Sequence, residues 1–453
     1  MRHLIPSLVL LCCGNMATAI AAEPLRIAVF QADVTPPIGA PLCYGGVKPA
    51  REIVEKLSAR GLVILTGEKP IVLCAVDWVL TSNGGYNSFR EALAKAADTS
   101  VDRVAVHCLH PHDTPGVDFS LEELLSEIGL SGKSCDVAAS RQAIQRTADA
   151  VRKSMTAARP VTHLGFGRAK VEKVASNRRI LGPDGKVKAI RWSAVTEKQL
   201  HDAPEGIIDP YLQLLSFWDH DQAIASVTYY ATHPQSFYNV GGVTPDIPGI
   251  ARAQREKETP GVAHIHFNGA SGNITAGKYN DGSKENRPIL AGRLADGMRS
   301  AWKDQKKIAV TAQDVQWRVK PVALPPDPDL DISKLEKKLR DAKVSDDQKT
   351  VAAIQLVWLR RCQAGEKIDL SCLKIGPVYV LHMPGELFVE YQLAAQRLRP
   401  NDHILMAAYG DDGTGYIGTK IAYSQGGYET GPASRVAPDV EAILLKAIAE
   451  LLK

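Results

Sequence analysis

Short apolar runs, broken by proline, glycine and charged turns, recur along the chain and predict strands. The first, in LRIAVFQADVTPPIGAPLCYGG, breaks into a Pro/Gly loop, and SARGLVILTGEKPIVLCAVDWVLT reads as two strands joined at Gly-Glu-Lys-Pro. Further strands are predicted at RVAVHCLH, HLGFGRAKV, QLLSFWD, IASVTYYATH, AHIHFNG and GPVYVLHM. Helical spacing predicts helices around Asn87 to Ala97, over residues 136–157, in RPILAGRLADGMRSAW and at APDVEAILLKAIAELL. The last has Pro438 in its first turn and an apolar stripe of Val440, Ile443, Leu444, Ala447, Ile448 and Leu451.

Interleaved strands and helices indicate an α/β fold. The one boundary signal is VALPPDPDLD, residues 322–331. It introduces a charged helical pair, so residues 322–372 read as a helical insertion without a core of their own. No internal repeat is visible.

The N-terminus combines a basic start, an apolar run of roughly ten residues and Ala-Thr-Ala near residue 18, which fits a cleaved secretory signal over residues 1–22. A leucine before Cys12 and a cysteine before Cys13 argue against a lipid anchor. No later apolar stretch is long enough to cross a bilayer. Export makes a disulfide between Cys362 and Cys372, which flank a short polar loop, the expectation for that pair. Cys74 and Cys108 lie in apolar runs and read as buried thiols. The net charge of +4 is mild and scattered, so no nucleic-acid footprint is visible.

Ionisable residues cluster at strand ends. RVAVHCLHPHDTPG places His110 and His112 around Pro111, YYATHPQ carries His233 at the end of its apolar run, and VYVLHMPGELF carries Glu386 after its Pro-Gly break. Sites in α/β folds gather at the carboxyl ends of strands. Two histidines and a carboxylate suit a catalytic zinc ion. His233 could equally be a satisfied core histidine, and Glu386 a helix cap. His382 is a rival ligand, ranked lower because it lies across a Pro-Gly turn from Glu386. The glycine-rich stretch over residues 407–431 holds Tyr409, Tyr416, Tyr423 and Tyr428, phenols able to serve an oxyanion or a metal. Ser271 and Thr275 lie in a small-residue turn, but Gly-Ala-Ser-Gly lacks the spacing of a nucleophile elbow.

Taken in order, these motifs resemble the neutral (alkaline, non-lysosomal) ceramidase family along almost the whole mature chain. QADVTPPIGAPLCYGG resembles that family's opening strand and loop. CLHPHDTPG resembles its Thr-His-Thr-His-Ser-Gly-Pro segment, and YYATHPQSFYN its Val-His-Gly-Thr-Ser. ASGNITAG is similar to Gly-Asn-Leu-Ser-Pro-Asn, HMPGELF to Val-Pro-Gly-Glu-Phe, and TGYIGTKIAYSQGGYETG to the family's tyrosine-bearing loop. The resemblance implies a single large α/β catalytic domain over residues 23–453, with a mixed-sheet core and flanking helices. It implies Zn2+ held by His110, His233, Glu386 and Tyr416. His112 would face the substrate amide, Tyr428 would be a second site tyrosine, and Arg178 (or Arg179) the site arginine. Thr275 stands where the family has serine, Ala276 where it has proline, and Gly413 where it has tyrosine. The long members' C-terminal β-sandwich has no counterpart in this sequence.

The expectation is an exported, periplasmic or secreted zinc-dependent hydrolase of a linear amide, N-acyl sphingosine or a related N-acyl lipid. Its partners would be that substrate and, peripherally, membrane lipid, with no nucleic acid. An ester or polar amide substrate on the same scaffold, or a non-catalytic binding protein, are the alternatives. Oligomeric state is left open.

Overall fold

A computed structural model describes residues 24–453; the leader expected over residues 1–22 lies outside the described residues. Three main sheets carry the chain. In the first the order is Val104–Cys108, Ile71–Val76, Ser58–Leu65, Arg26–Asp33 and the short Arg159–Pro160. The second runs Ala263–Asn268, Gln222–Tyr230, Tyr211–Asp219, His163–Lys170 and Lys306–Ala309. The third runs His403–Ala407, Val378–His382, Ile368–Ile375 and Val315–Val322.

The three orders are equivalent. Within each sheet the neighbours are antiparallel except at one edge. There Ile71–Val76 pairs in parallel with Val104–Cys108, Gln222–Tyr230 with Ala263–Asn268, and Val378–His382 with His403–Ala407. A parallel pair needs a crossover. The helices Asn83–Ala97, Asp246–Glu258 and Val389–Leu398 lie within these crossovers. A second helix follows each parallel strand: Val137–Met155, Asn286–Lys303 and Val440–Leu451. The chain is thus a threefold repeat of one β-β-β-α-β-α order, which corrects the absence of repeats in the sequence. The reason is physical. A buried strand needs apolar side chains but no particular ones, so VLCAV, ASVTYY and VYVLH fill the same position without sharing residues.

Strand alternation sorts the side chains into two layers. Ile27, Leu73 and Ala105 of the first sheet share one core with Phe217, Val227 and Phe267 of the second and Val380 and Leu405 of the third. The alternate positions Val72, Val106, Leu381 and Met406 pack with helical Phe89, Leu93, Leu444 and Ile448. Leu212 and Leu214 of the second sheet pack with Ile247, Leu294 and Met298. Three sheets therefore share an inner core and turn their other faces to helices. Each fully buried Leu, Ile or Phe contributes about 1.5–3 kcal/mol.

The parallel strands are stitched together where they end. Cys108 N–H donates to Tyr409 O at 2.9 Å, and Ala408 N–H to Asn268 O at 3.0 Å. Asn268 Nδ2 reaches Leu109 O at 3.3 Å.

The charged helical pair spans Ile332–Arg340 and Asp346–Gln363, packing Leu335, Leu339 and Leu356 on Leu121 and Leu125. Strand Ile368–Ile375 begins inside the stretch read as helical insertion, over residues 322–372, and runs past its end; Asp369, Ser371 and Lys374 interrupt its apolar pattern. Cys362 and Cys372 are free thiols rather than a disulfide. Cys372 is buried in the sheet-helix core, whereas Cys362 Sγ lies 3.8 Å from Leu324 O. Among the described residues no helix is long and apolar enough to cross a membrane.

Candidate active site

Each repeat delivers one ionisable residue to a common place. His110 follows the parallel strand of the first, His233 follows Gln222–Tyr230 of the second, and Glu386 follows Val378–His382 of the third. All three are buried. Oε2 of Glu386 lies 2.9 Å from His233 Nε2 and 3.3 Å from His110 Nε2. Tyr416 OH lies 3.4 Å from His233 Nε2.

Local backbone devices set these positions. His110 has φ 72°, in the left-handed region. That costs a residue with a side chain about 1–3 kcal/mol and is met at functional sites. Hydrogen bonds hold it there: N–H to Trp78 O at 3.0 Å and Nδ1 to Val79 O at 2.7 Å. His233 Nδ1 likewise meets Ser271 O at 2.7 Å. Glu386–Leu387 pairs in parallel with Tyr416–Ile417, which sets Glu386 beside Tyr416. Gly272 closes the arrangement, since a Cβ there would stand 2.2 Å from Glu386 O. Glu386 does not cap the next helix, whose N-cap is Phe388 without a side-chain bond.

Both Nδ1 atoms lie against backbone carbonyls, which turns both Nε2 atoms to the same carboxylate oxygen of Glu386. Burial and then the Arg178 guanidinium push His233 down to about 3, so its imidazole is neutral. Burial alone would raise Glu386, but His110 and His233 hold its carboxyl well below the usual range. Imidazole nitrogens and a carboxylate that converge in this way can hold a cation among them.

His112 is the third imidazole. Ring nitrogens of His110, His112 and His233 lie within 4.8 Å of one another, a buried group that could hold a metal ion. His112 Nε2 stands 3.4 Å from His110 Nε2 and 2.7 Å from Gln235 Nε2. Its Nδ1 faces Cys43 Sγ at 3.9 Å. Burial and the neighbouring His110 and His233 push His112 well below its ordinary value. Of the two oxygen and nitrogen candidates for the third ligand, Glu386 has the stronger case, because its negative charge offsets a dication whereas a third neutral imidazole does not.

Arg178 and Arg179 separate cleanly. Arg178 is buried, with Nη1 3.4 Å from Tyr416 OH and Nη2 3.2 Å from Ile274 O. Arg179 turns to Glu429 at 3.1 Å and to Ala422 O at 3.0 Å. Tyr428 OH is 3.1 Å from Tyr416 OH. Thr275 is fully buried, but its hydroxyl donates to Trp192 O at 3.3 Å rather than to the cluster. His382 also lies outside it, with Nδ1 3.2 Å from Ser371 Oγ and its ring 5.3 Å from His107.

Asp412, Gln235 and Cys43 escaped the sequence reading, and Tyr409 stood there only as one of four phenols. Tyr409 OH reaches Ser271 Oγ at 2.7 Å, and its ring packs 4.5 Å from His110. Its φ of 59° repeats the left-handed turn of His110 at the matching point of the third repeat. Asp412 is buried, and burial and Glu386 push its carboxyl well up. Gln235 could have been found from its place two residues after His233. Cys43 carries no such signal, being 69 residues from His112.

No family model matches the sequence, and no curated protein does. Among solved structures, a ceramidase complexed with C2 matches at 16% identity and a TM-score of 0.67, covering 94% of this chain and 74% of that one. A crystal structure of neutral ceramidase from Pseudomonas aeruginosa matches at 17% identity and a TM-score of 0.67, over the same shares. The chain has the fold of the neutral ceramidases.

Proposed function

We propose that this chain is a zinc-dependent hydrolase of linear amides, with an N-acyl lipid of the ceramide type as substrate. The observation that carries the reading is the pair of Nε2 atoms, of His110 and His233, turned on one Glu386 oxygen. Two imidazoles, a carboxylate and the Tyr416 phenol are a donor set that zinc accepts. Zinc bound there would acidify water and polarise a carbonyl oxygen.

The chain's own groups do the rest. His112 is neutral near pH 7, so its imidazole takes a proton and returns it to the departing amine. Arg178, beside the Tyr416 phenol, supplies positive charge where a carbonyl oxygen becomes negative. Tyr428 orients Tyr416 through their shared hydrogen bond. Thr275 shapes the wall through Trp192. Gln235, whose amide reaches His112, favours a second reading in which a polar amide or ester is the substrate. The leader motif supports export, with the mature enzyme outside the cytoplasm.

The test is the metal content of the purified mature protein beside His233→Ala, followed by a panel of N-acyl amides and esters. About one zinc per chain, lost in the variant, with amide cleavage, is expected. A folded wild-type chain that takes no zinc overturns the reading and leaves a binding protein.

A further inference from the structure

Tyr416 begins a chain of aromatic contacts that ends in solvent. Its hydroxyl meets Tyr428 OH at 3.1 Å, and the Tyr428 ring packs 4.9 Å from the indole of Trp192 at 33°. Trp192 is 54% exposed. The other five tryptophans are buried or half-buried. Trp78, Trp317 and Trp358 donate their indole N–H to backbone carbonyls, and Trp218 stacks on Trp302.

An exposed indole on a loop tip would mean little, but this loop is anchored. The neighbouring Arg191 is buried, and its guanidinium donates to Leu200 O, Asn177 O and Ala203 O at 2.9, 3.1 and 2.8 Å. Arg191 N–H donates to Arg178 O at 2.7 Å, tying the loop to the site arginine. Trp192 O accepts from Thr275. A Cβ on Gly277 would stand 1.9 Å from the same carbonyl, so the backbones touch there. Asn280 Nδ2 bridges Ser193 O at 2.8 Å and Ser236 O at 2.7 Å, joining the loop to the stretch that carries Gln235 and Tyr238. Tyr238 packs 5.2 Å from His112. The indole therefore stands on an anchored backbone, packed on Tyr428 one hydrogen bond from Tyr416, with about half of its surface open to water. Side chains that keep large apolar surface exposed on a pre-organised scaffold bind by covering it.

We propose that Trp192 is the specificity-determining wall for an aliphatic chain of the substrate, covered when the scissile bond sits at the cluster. Cleavage rests on the amide reading above; binding of the chain does not. An aliphatic chain fits better than a cation, because the adjoining Tyr428 ring already carries the Arg178 guanidinium 5.6 Å from its centroid, and that positive charge repels a cationic ligand.

The experiment compares the full mature protein with W192A and W192F. With N-dodecanoyl and N-acetyl forms of one amine, W192A raises KM for the dodecanoyl substrate roughly ten-fold, the effect of uncovering one indole face. Its change in KM with the N-acetyl substrate is several-fold smaller than with the dodecanoyl one, and W192F recovers most of the loss. Separately, indole fluorescence is titrated with dodecanol, which has no scissile bond. A blue shift present in wild type and missing in W192F is expected. Equal KM changes for both substrates, or no spectral shift, overturn the proposal. A shift without any amide cleavage by wild type would retain it and remove the amide reading. Cleavage whose chain-length dependence survives W192A would do the reverse.

Discussion

His233 Nε2 lies 2.9 Å from Glu386 Oε2, across 153 residues of chain. The two come from different sheets, and the carboxylate brings negative charge to the histidine cluster. Glu386→Gln keeps the shape and removes the charge. We expect zinc content to fall by at least about ten-fold, since each 1.4 kcal/mol of lost binding is ten-fold. Metal analysis after gel filtration checks this. Full retention of zinc would transfer the third ligand to His112.

His112→Ala should keep the metal and lose turnover by roughly 100- to 10,000-fold, the ordinary contribution of a general acid-base group. The two quantities need measuring on the same preparation. Release of zinc by this variant would mean that His112 ligates.

Gly272 is the tightest backbone approach to Glu386. Gly272→Ala places a methyl 2.2 Å from the Glu386 carbonyl, so the turn or the ligand must move. Overpacking of this kind costs about 1–3 kcal/mol, and we expect both a lower melting temperature and weaker zinc binding. Gly292→Ala is the control. Its Cβ meets nothing within 4 Å on helix Asn286–Lys303, and the change should be neutral or stabilise slightly.

Asp77 and Arg252 clamp the first repeat to the second. Arg252 Nη1 and Nη2 contact the two carboxylate oxygens at 2.9 and 2.7 Å, and both residues are buried. Asp77→Ala leaves the guanidinium buried and unpaired, a loss of about 3–5 kcal/mol. Chemical denaturation of the two proteins measures it. Burial alone would raise the Asp77 carboxyl, yet Arg252 holds it below the usual value near 3.8. Its contribution is therefore full above that value and is lost as pH falls through the lower folded one.

A second pH effect comes from buried histidines. Burial lowers His107 from 6.5 to about 4 and His266 from 6.5 to about 3. Depressed folded values mean that the unfolded chain takes up protons first. Stability is full above pH 6.5 and declines as pH falls towards 4 and then 3. Melting temperatures across that window should fall steadily. His266→Gln, which keeps a group able to bond Thr228, should flatten the slope.

Local chemistry made much of this protein legible in its sequence. Alternating apolar residues, crossover helices and the Pro/Gly breaks at strand ends are short-range signals, and they mark His110, His233 and Glu386 without any fold. The stripe ending at Leu451 is equally local, and its Leu444 and Ile448 are buried as it predicts. Tertiary structure decided the rest. Whether Arg178 or Arg179 enters the site depends on two pairings either side of them, Ser176–Asn177 with Ile274–Thr275 and Arg179–Leu181 with Val187–Ile190, which send the neighbouring side chains apart. Glu386 rather than His382 lies against the histidines, because its short strand pairs beside Tyr416. Cys43, Tyr409 and Asp412 join the site through contacts between distant segments, and the threefold repeat exists in topology alone. Apolar periodicity says which face of a strand is buried; which strands meet is decided by how three such faces close around one core.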